Sequence, residues 1–272
     1  MRQVIVANTE LIDPIAVFDA GIGSYSAVRT LRDRFPQQDI LYFADRAHFP
    51  YGEKSVEQLK GIIGRTLQYL ADRGAAGIVV ASNVPSVTVL DQLKGCVPVP
   101  VVGVVPPLRK AVAEANGGHV AILGARSMIE SAELRQFIHA HAGERKEQVS
   151  SHNASSLIEL VETGRFLTDP AGTAGSVQEF MRRIIALHPD LRAVTLSSTH
   201  LPWLLPFLKD AEPRLNFLDP IEQILDEISP AISIGSGRTA GLVSGNPSYP
   251  AADFPPMLRR LGIDIPLELM DD

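Results

Sequence analysis

Short apolar runs alternate with longer amphipathic segments along most of this chain, and this alternation limits the possible folds. The runs are rich in Val, Ile and Leu, as buried strands are, and lie at 15–18, 40–43, 78–81, 99–102, 120–123, 193–196 and 215–218. Apolar residues recur at helical spacing in 55–73, 127–142, 174–188 and 221–228. Strands that alternate with helices build βαβ units, so the sequence predicts an α/β fold with mostly parallel sheets. Ligand sites are expected beyond the carboxyl ends of the strands.

The length of the chain predicts one large domain or two of modest size, since 272 residues exceed a usual single core. The segment 97–107 holds four prolines around a predicted strand. Proline stiffens the backbone and removes a hydrogen-bond donor, so this segment suits the point where the chain passes from one domain to the other. A second such crossing of the chain between domains is predicted near Pro213.

Charge and composition exclude several classes of protein. The net charge of −6 provides no basic stripe that could neutralise phosphates, so nucleic acid is not expected as a partner. No apolar stretch approaches the ~20 residues of a membrane span, and no signal peptide is recognisable, so we expect no membrane association and a cytoplasmic location. The single Cys96 excludes an internal disulfide and is interpreted as a small hydrophobic residue before a strand.

Two segments share one pattern, as if half of an active site were repeated in the sequence. GIVVASN at 77–83 and AVTLSSTH at 193–200 each carry a strand into a small polar turn. Together with FDAGIGS at 18–24 and PYGEKS at 50–55, they resemble the glutamate racemase branch of the aspartate/glutamate racemase family. The usual motifs of that family are FDSGxGG, PYGxKS, ACNTAS and LGCTHYPLL, and the resemblance extends to about residue 245.

The resemblance implies an architecture and a function. It implies an α/β fold of two similar lobes, residues 1–105 plus 214–272 and residues 106–213, with mostly parallel sheets and a ligand cleft between them. The family interconverts L- and D-glutamate by two-base proton transfer, without cofactor or metal. It also implies a small dicarboxylate or amino acid as ligand, cytoplasmic peptidoglycan biosynthesis and a homodimer.

Both cysteines on which the chemistry of the family depends are replaced here by Ser82 and Ser198. A thiol has a pKa of about 8.5, whereas an alcohol is close to water at about 15.7. The difference of ~7 units corresponds to ~10 kcal/mol, which no local field recovers. The sequence therefore predicts negligible racemisation, with the binding of a small amino-dicarboxylate retained. The alternative is a non-catalytic or repurposed homologue that binds a small carboxylate or a protein partner.

Other residues match the site of the family by position. Asp19 and His200 match the residues that assist the two thiols, and a simpler alternative for both, as for the two serines, is that they cap helices. Hydroxyl partners are lost at Ala20 and Val84, while Pro85 and Ser197 are further departures. The remaining matches to ligand-binding positions are Pro50, Tyr51, Gly52, Asn83, Glu162 and Thr199.

Three other classes of site have weaker patterns. Gly21-Ile-Gly23 follows a predicted strand, but Ser26 occupies the third glycine position of a dinucleotide motif. Ser198 and His200 are two residues apart and lack the G-x-S-x-G turn of a serine nucleophile. The histidines show no HExxH spacing, so no metal site is predicted.

Overall fold

The computed structural model of the chain describes residues 2–270. The chain divides into two compact units: unit 1 holds the chain up to Val104 and from Ile221 onward, and unit 2 is Val105–Pro220. Across residues 2–270, no helix combines the length and the apolar character that crossing a membrane requires.

Strands and helices alternate through both units. The strands are β1 Gln3–Val6, β2 Thr9–Ile12, β3 Ile15–Asp19, β4 Ile40–Asp45, β5 Gly77–Val80, β6 Val101–Gly103, β7 His119–Gly124, β8 Val149–Asn153, β9 Leu191–Ser197, β10 Asn216–Leu218, β11 Thr239–Ser244 and β12 Leu267–Met270. The helices are α1 Tyr25–Arg34, α2 Val56–Asp72, α3 Asn83–Thr88, α4 Leu108–Glu114, α5 Arg126–Ile129, α6 Ala132–Ala142, α7 Ser155–Glu162, α8 Arg165–Thr168, α9 Pro170–Leu187, α10 Leu205–Ala211, α11 Ile221–Ile228 and α12 Phe254–Arg260.

Unit 1 is built on a parallel sheet. Within the described residues this sheet has six strands in the order β12-β11-β4-β3-β5-β6, and β1 and β2 form a separate antiparallel hairpin. Every residue of β3, β4 and β5 is buried, as expected of apolar strands covered on both faces. Helix α2 buries one apolar face, including Ile63 and Leu67, and begins at a capping box between Ser55 and Gln58.

Unit 2 contains a second parallel sheet, of four strands within the described residues, in the order β10-β9-β7-β8. Strands β7 and β9 lie in the middle of the sheet, and their buried residues include Ala121, Ile122 and Val194. Strand β8 lies at one edge and β10 at the other. The predicted α/β class with mostly parallel sheets is therefore confirmed.

The elements predicted from periodicity are present, and each predicted apolar run contributes to a strand. The predicted helix 127–142 is instead two helices, α5 and α6, because Ser131 begins a new helix. Its side chain accepts a hydrogen bond from the Leu134 N–H at 3.0 Å. Residues 235–270 are rich in glycine and proline, a composition typical of loops, yet they contain α12 and two strands of the unit 1 sheet.

Two local expectations also differ from the structure. Cys96 is exposed, because it lies in the turn before β6 and not under the sheet. The second crossing between units comes after Pro220, a few residues beyond the predicted point near Pro213. The reason is that β10 pairs in parallel with β9 and completes an edge of the unit 2 sheet.

Candidate ligand-binding site

In unit 1, two predicted site segments follow neighbouring strands. Strands β3 and β5 are paired in parallel, with Phe18 opposite Val80, so both end at the same edge of the sheet. Asp19 ends β3 and is buried, and Ser82 lies two residues after β5 and is also buried. The fold therefore brings these two segments together beyond the strand ends, where parallel sheets hold their ligands.

The turn after Asp19 is fixed by hydrogen bonds on both sides of Ala20. The Ala20 N–H donates to Asp19 Oδ1 at 2.7 Å, and Arg46 Nη1 donates to the Ala20 carbonyl oxygen at 2.9 Å. The Arg46 guanidinium is buried and lies over the Phe49 ring, 4.2 Å from its centroid. Arg46 follows β4, and its residue type alone gave no sign of this role.

A second polar network surrounds Asp45, which sequence reasoning also missed. The Tyr51 hydroxyl donates to Asp45 Oδ2 at 2.8 Å, and the Ser244 hydroxyl donates to Asp45 Oδ1 at 3.1 Å. The Nδ1 of His48 lies 2.8 Å from Asp45 Oδ1. Burial, followed by the charges of Asp45 and Asp19, raises the pKa of Tyr51 well above its usual value. The phenol therefore stays protonated and its proton is directed to Asp45, so Tyr51 and Gly52 offer a ligand mainly their backbone.

The segment after β5 presents a buried amide. Asn83 is 4% exposed, and its Nδ2 donates to the Val104 carbonyl oxygen at 2.9 Å. That bond fixes the orientation of the amide, and Asn83 Oδ1 is buried with no hydrogen-bond partner among the described residues. A buried acceptor without a partner costs ~1–3 kcal/mol, so this oxygen is suited to receive a donor from a ligand.

Unit 2 brings together four of the predicted site residues. Ser198, Thr199 and His200 follow β9 and are buried. The His200 N–H donates to Ser198 Oγ at 3.4 Å, while His200 Nε2 lies 2.8 Å from Oε2 of Glu162, the last residue of α7. Thr195 and Ser197 pair their hydroxyl groups at 2.9 Å beneath this turn. A carboxylate beside an imidazole fixes the orientation of the ring.

The simpler alternative, that the predicted site residues only cap helices, does not hold for Ser82 and His200. Ser82 is at the N-cap position of α3 and His200 is at that of the 3-10 helix Leu201–Leu204. Within the described part of the chain, neither side chain makes the hydrogen bond of a cap. Their side chains are therefore not used to cap helix ends.

The two remaining predicted positions are only partly buried. Pro50 directly precedes the buried Tyr51, and Val84 directly follows the buried Asn83.

The arrangement carries acid/base and hydrogen-bonding groups and no metal ligands in a suitable cluster. Between residues 2 and 270, no group of three or more His, Cys, Asp or Glu side chains is placed to hold a metal ion. In unit 1 the strand ends carry carboxylates, hydroxyl groups and an amide, and in unit 2 they carry an imidazole, a carboxylate and hydroxyl groups. Hydrogen-bonding groups of these kinds suit a small polar ligand, and carboxylates and imidazoles are the groups that most often transfer protons in enzymes.

The fold and these strand-end groups define an α/β protein with polar side chains buried beyond the ends of its strands, and comparison with known proteins gives its family. Residues 25–227 match the family described as Asp/Glu/Hydantoin racemase. The chain belongs to this racemase family.

Individual relatives agree with this assignment. A glutamate racemase of Syntrophus aciditrophicus is 32% identical over 229 residues, covering 84% of this chain and 83% of the relative. One from Ralstonia pickettii is 31% identical over 260 residues, covering 94% and 86%. Among solved structures, glutamate racemase from Thermus thermophilus in complex with beta-chloro-D-alanine is similar with a TM-score of 0.76 and 26% identity, covering 95% of this chain and 96% of that one.

Proposed function

We propose that this protein binds a small amino-dicarboxylate, glutamate being the first candidate, and does not racemise it. The curated relatives at about 30% identity are glutamate racemases. Two solved relatives, from Francisella tularensis and Escherichia coli, are described as complexes with D-glutamate and L-glutamate. Shared family and shared fold support the same class of ligand for this chain.

The observation that carries the proposed ligand is the unpartnered oxygen of Asn83. An amino acid brings an ammonium group, which is a donor of charge-assisted hydrogen bonds. Asn83 Oδ1 is a buried acceptor, held in place by the bond from Nδ2 to Val104. The neighbouring backbone after Asp19 and the buried Ser82 add further polar groups at the same edge of the sheet. An ammonium group at Asn83 satisfies an acceptor that the described residues leave unsatisfied.

Loss of racemisation follows from the chemistry of oxygen. Inversion at Cα needs one group to remove a proton and another to deliver one on the opposite face. Ser82 and Ser198 occupy the positions that the resemblance assigns to these groups, and the only cysteine in the sequence, Cys96, is in neither motif. An alcohol holds its proton ~7 pKa units more tightly than a thiol, which raises the cost of forming the base by ~10 kcal/mol. His200 with Glu162 is one acid/base pair, and a single pair does not serve both faces.

Deuterium exchange tests the loss of racemisation. L- or D-glutamate is incubated with the protein in heavy water, and the Cα–H signal is followed by NMR. We expect no exchange above the buffer rate, and restoration of exchange in the double variant Ser82→Cys/Ser198→Cys. Ser248→Cys, at an exposed serine, adds a thiol elsewhere and is expected to be silent. Exchange at enzymatic speed by the unaltered protein would refute the proposed loss of activity.

Calorimetry tests the ligand separately. Both enantiomers of glutamate are expected to bind, and Asn83→Ala to weaken binding about tenfold, since one hydrogen bond is worth about 1.4 kcal/mol here. Asn216→Ala, at an exposed position in β10, is the matched control and is expected to bind normally. Absence of binding by either enantiomer would remove glutamate as the ligand. If the double variant Ser82→Cys/Ser198→Cys binds glutamate but shows no exchange at Cα, the roles given to Ser82 and Ser198 would be contradicted.

A cytoplasmic location and a homodimer are also part of the proposal, and family resemblance supports both. Light scattering on the purified chain tests the dimer directly. A monomeric mass at micromolar concentration would count against it.

A further inference from the structure

Unit 2 contains a histidine cluster outside the candidate site, formed by His119, His152 and His188 together with Ser150. His119 is the first residue of β7, Ser150 and His152 lie on one face of the edge strand β8, and His188 follows the last residue of α9. The cluster therefore joins three elements at one side of the sheet. None of its residues belongs to the motifs that point to the ligand site.

A serine hydroxyl links two of the histidines. His119 Nε2 lies 2.8 Å from Ser150 Oγ, and Ser150 Oγ lies 2.7 Å from His152 Nε2. Ser150 has one hydroxyl proton, so it donates to one imidazole nitrogen and accepts from the other. This chain of bonds is complete when both rings are neutral. If both rings are protonated, both must donate to Oγ, and the hydroxyl proton loses its acceptor.

The third histidine packs against the other two. The rings of His119 and His188 are stacked with centroids 3.8 Å apart and an interplanar angle of 10°. His188 also meets His152 edge to face, with centroids 5.5 Å apart. Asp190 acts on His119 with a charge of opposite sign, and the Arg192 side chain of β9 lies beside Gly118. Two positive charges in stacked rings repel at this distance, and one carboxylate offsets only part of that repulsion.

We propose that the histidine cluster is a proton-operated latch, which holds β8 and the end of α9 on the unit 2 sheet at neutral pH and releases them in acid. Strand β8 leads through Ala154 into α7, whose last residue is Glu162. Opening of the latch therefore also loosens the contact between Glu162 and His200. The latch does not rest on the proposed function, because it is a property of the free protein.

The direction of the effect follows from linkage. Burial, then the charges of His188 and His119, lower the pKa of His152 to about 4, and burial also lowers the pKa of His119. An opened strand returns these rings to water, where the pKa is 6.5. The closed form is thus fully favoured above that value and loses its advantage as the pH falls towards 4. At about pH 5, His152 alone favours opening by about 30-fold, and partial exposure of the ring reduces this to about tenfold.

Hydrogen exchange tests the latch in the full-length protein. Amide exchange of β8 and of the last turn of α9 is measured at about pH 7.5 and about pH 5 and divided by the intrinsic rates. We expect protection in these segments to fall about tenfold at the lower pH, while the helix α2 keeps its protection. His152→Gln is expected to abolish most of the pH dependence. His139→Gln, at an exposed histidine on α6, is the matched control and is expected to behave as the unaltered protein.

NMR titration keeps the test decisive if His152→Gln fails to fold. In the unaltered protein, titration of the ring proton signals of His119 and His152 is expected to give pKa values below the ordinary value of histidine. Equal protection of β8 at both pH values, or ordinary titration of both rings, would overturn the latch. A pH-dependent opening that survives in a folded His152→Gln variant would overturn it as well.

Discussion

The hydrogen bond from Tyr51 to Asp45 is buried inside unit 1, at 2.8 Å, next to the turn that carries Asp19. Two further groups, Ser244 and His48, converge on the same carboxylate. The phenol is therefore a fixed donor in a negatively charged setting. Its ionisation would place two negative charges in contact in the interior, so the folded state resists that ionisation strongly.

This setting predicts how stability depends on alkaline pH. Because the pKa of Tyr51 is raised in the folded state, the unfolded chain releases its phenol proton first as the pH rises above 10. The stabilisation is complete below that pH and is lost progressively as the pH rises from there towards the raised pKa of the folded state. We expect Tyr51→Phe to lower the free energy of unfolding at neutral pH by about 1–2 kcal/mol and to flatten the alkaline decline.

Urea unfolding at a series of pH values measures both effects. Tyr249→Phe is the matched control, because it keeps the ring that packs against Phe49. We expect that control to follow the alkaline decline of the unaltered protein. An unchanged slope in Tyr51→Phe would show that the buried phenol is not responsible.

Sequence motifs located some of these residues and missed others for a physical reason. Asp19, Tyr51 and Asn83 stand in local motifs, so their positions can be predicted without knowing the fold. Asp45 and Ser244 are far apart in the chain and meet because β11 pairs with β4 in a register that places Ser244 opposite Asp45. Long-range register of this kind leaves no local pattern to detect.

Ser131 controls where helix α6 begins. Its hydroxyl donates to the Met128 carbonyl oxygen at 2.7 Å and accepts from the Leu134 N–H at 3.0 Å. One side chain thus satisfies a carbonyl at the end of α5 and an amide at the start of α6. Apolar spacing continues through 127–142, so periodicity alone predicts one helix where the capping serine makes two.

Removal of this cap is expected to cost a typical capping energy. Ser131→Ala should lower the free energy of unfolding by about 1 kcal/mol, because the Leu134 N–H loses its acceptor while the Met128 carbonyl oxygen keeps the Ser131 N–H as a donor. Ser176→Ala is the control, since that serine lies inside α9 and its hydroxyl bonds back to the Gly172 carbonyl oxygen. We expect the control to change stability by less than about 0.5 kcal/mol. Equal effects of the two substitutions in urea unfolding would contradict a capping role for Ser131.

The sequence predicts a strand more clearly when its residues form a continuous apolar run. Strands β3, β4 and β5 are buried along their whole length and appear as continuous apolar runs. Strand β8 has the sequence VSSHN and is only half-buried at a sheet edge, so its pattern is polar. Strand β11 is buried but includes Gly241, where a side chain would meet Leu267 and the Tyr42 backbone. A strand that needs glycine for close packing loses part of its apolar signal.

Unit 1 is assembled from two parts of the chain that are far apart in sequence. Strand β11 lies between β4 and β12, so the later segment supplies two strands of the sheet. The buried Asp39 carboxylate joins the two parts, since its Oδ1 accepts the N–H groups of Ser236 and Arg238 at 2.9 and 2.8 Å. Its Oδ2 accepts the Ile12 N–H at 2.7 Å. Unit 2, in contrast, is one continuous segment whose sheet is paired internally.

This difference predicts opposite behaviour of two fragments. The fragment 105–220 should fold alone, because its sheet and core are complete, and should unfold cooperatively in urea. The fragment 1–104 should not, because β4 loses β11 and becomes an apolar edge, and the Asp39 carboxylate loses two of its donors. Co-expression with 221–272 should restore its fold. NMR peak dispersion measures each outcome, and a dispersed spectrum from 1–104 alone or a coil-like one from 105–220 would contradict this division of the chain.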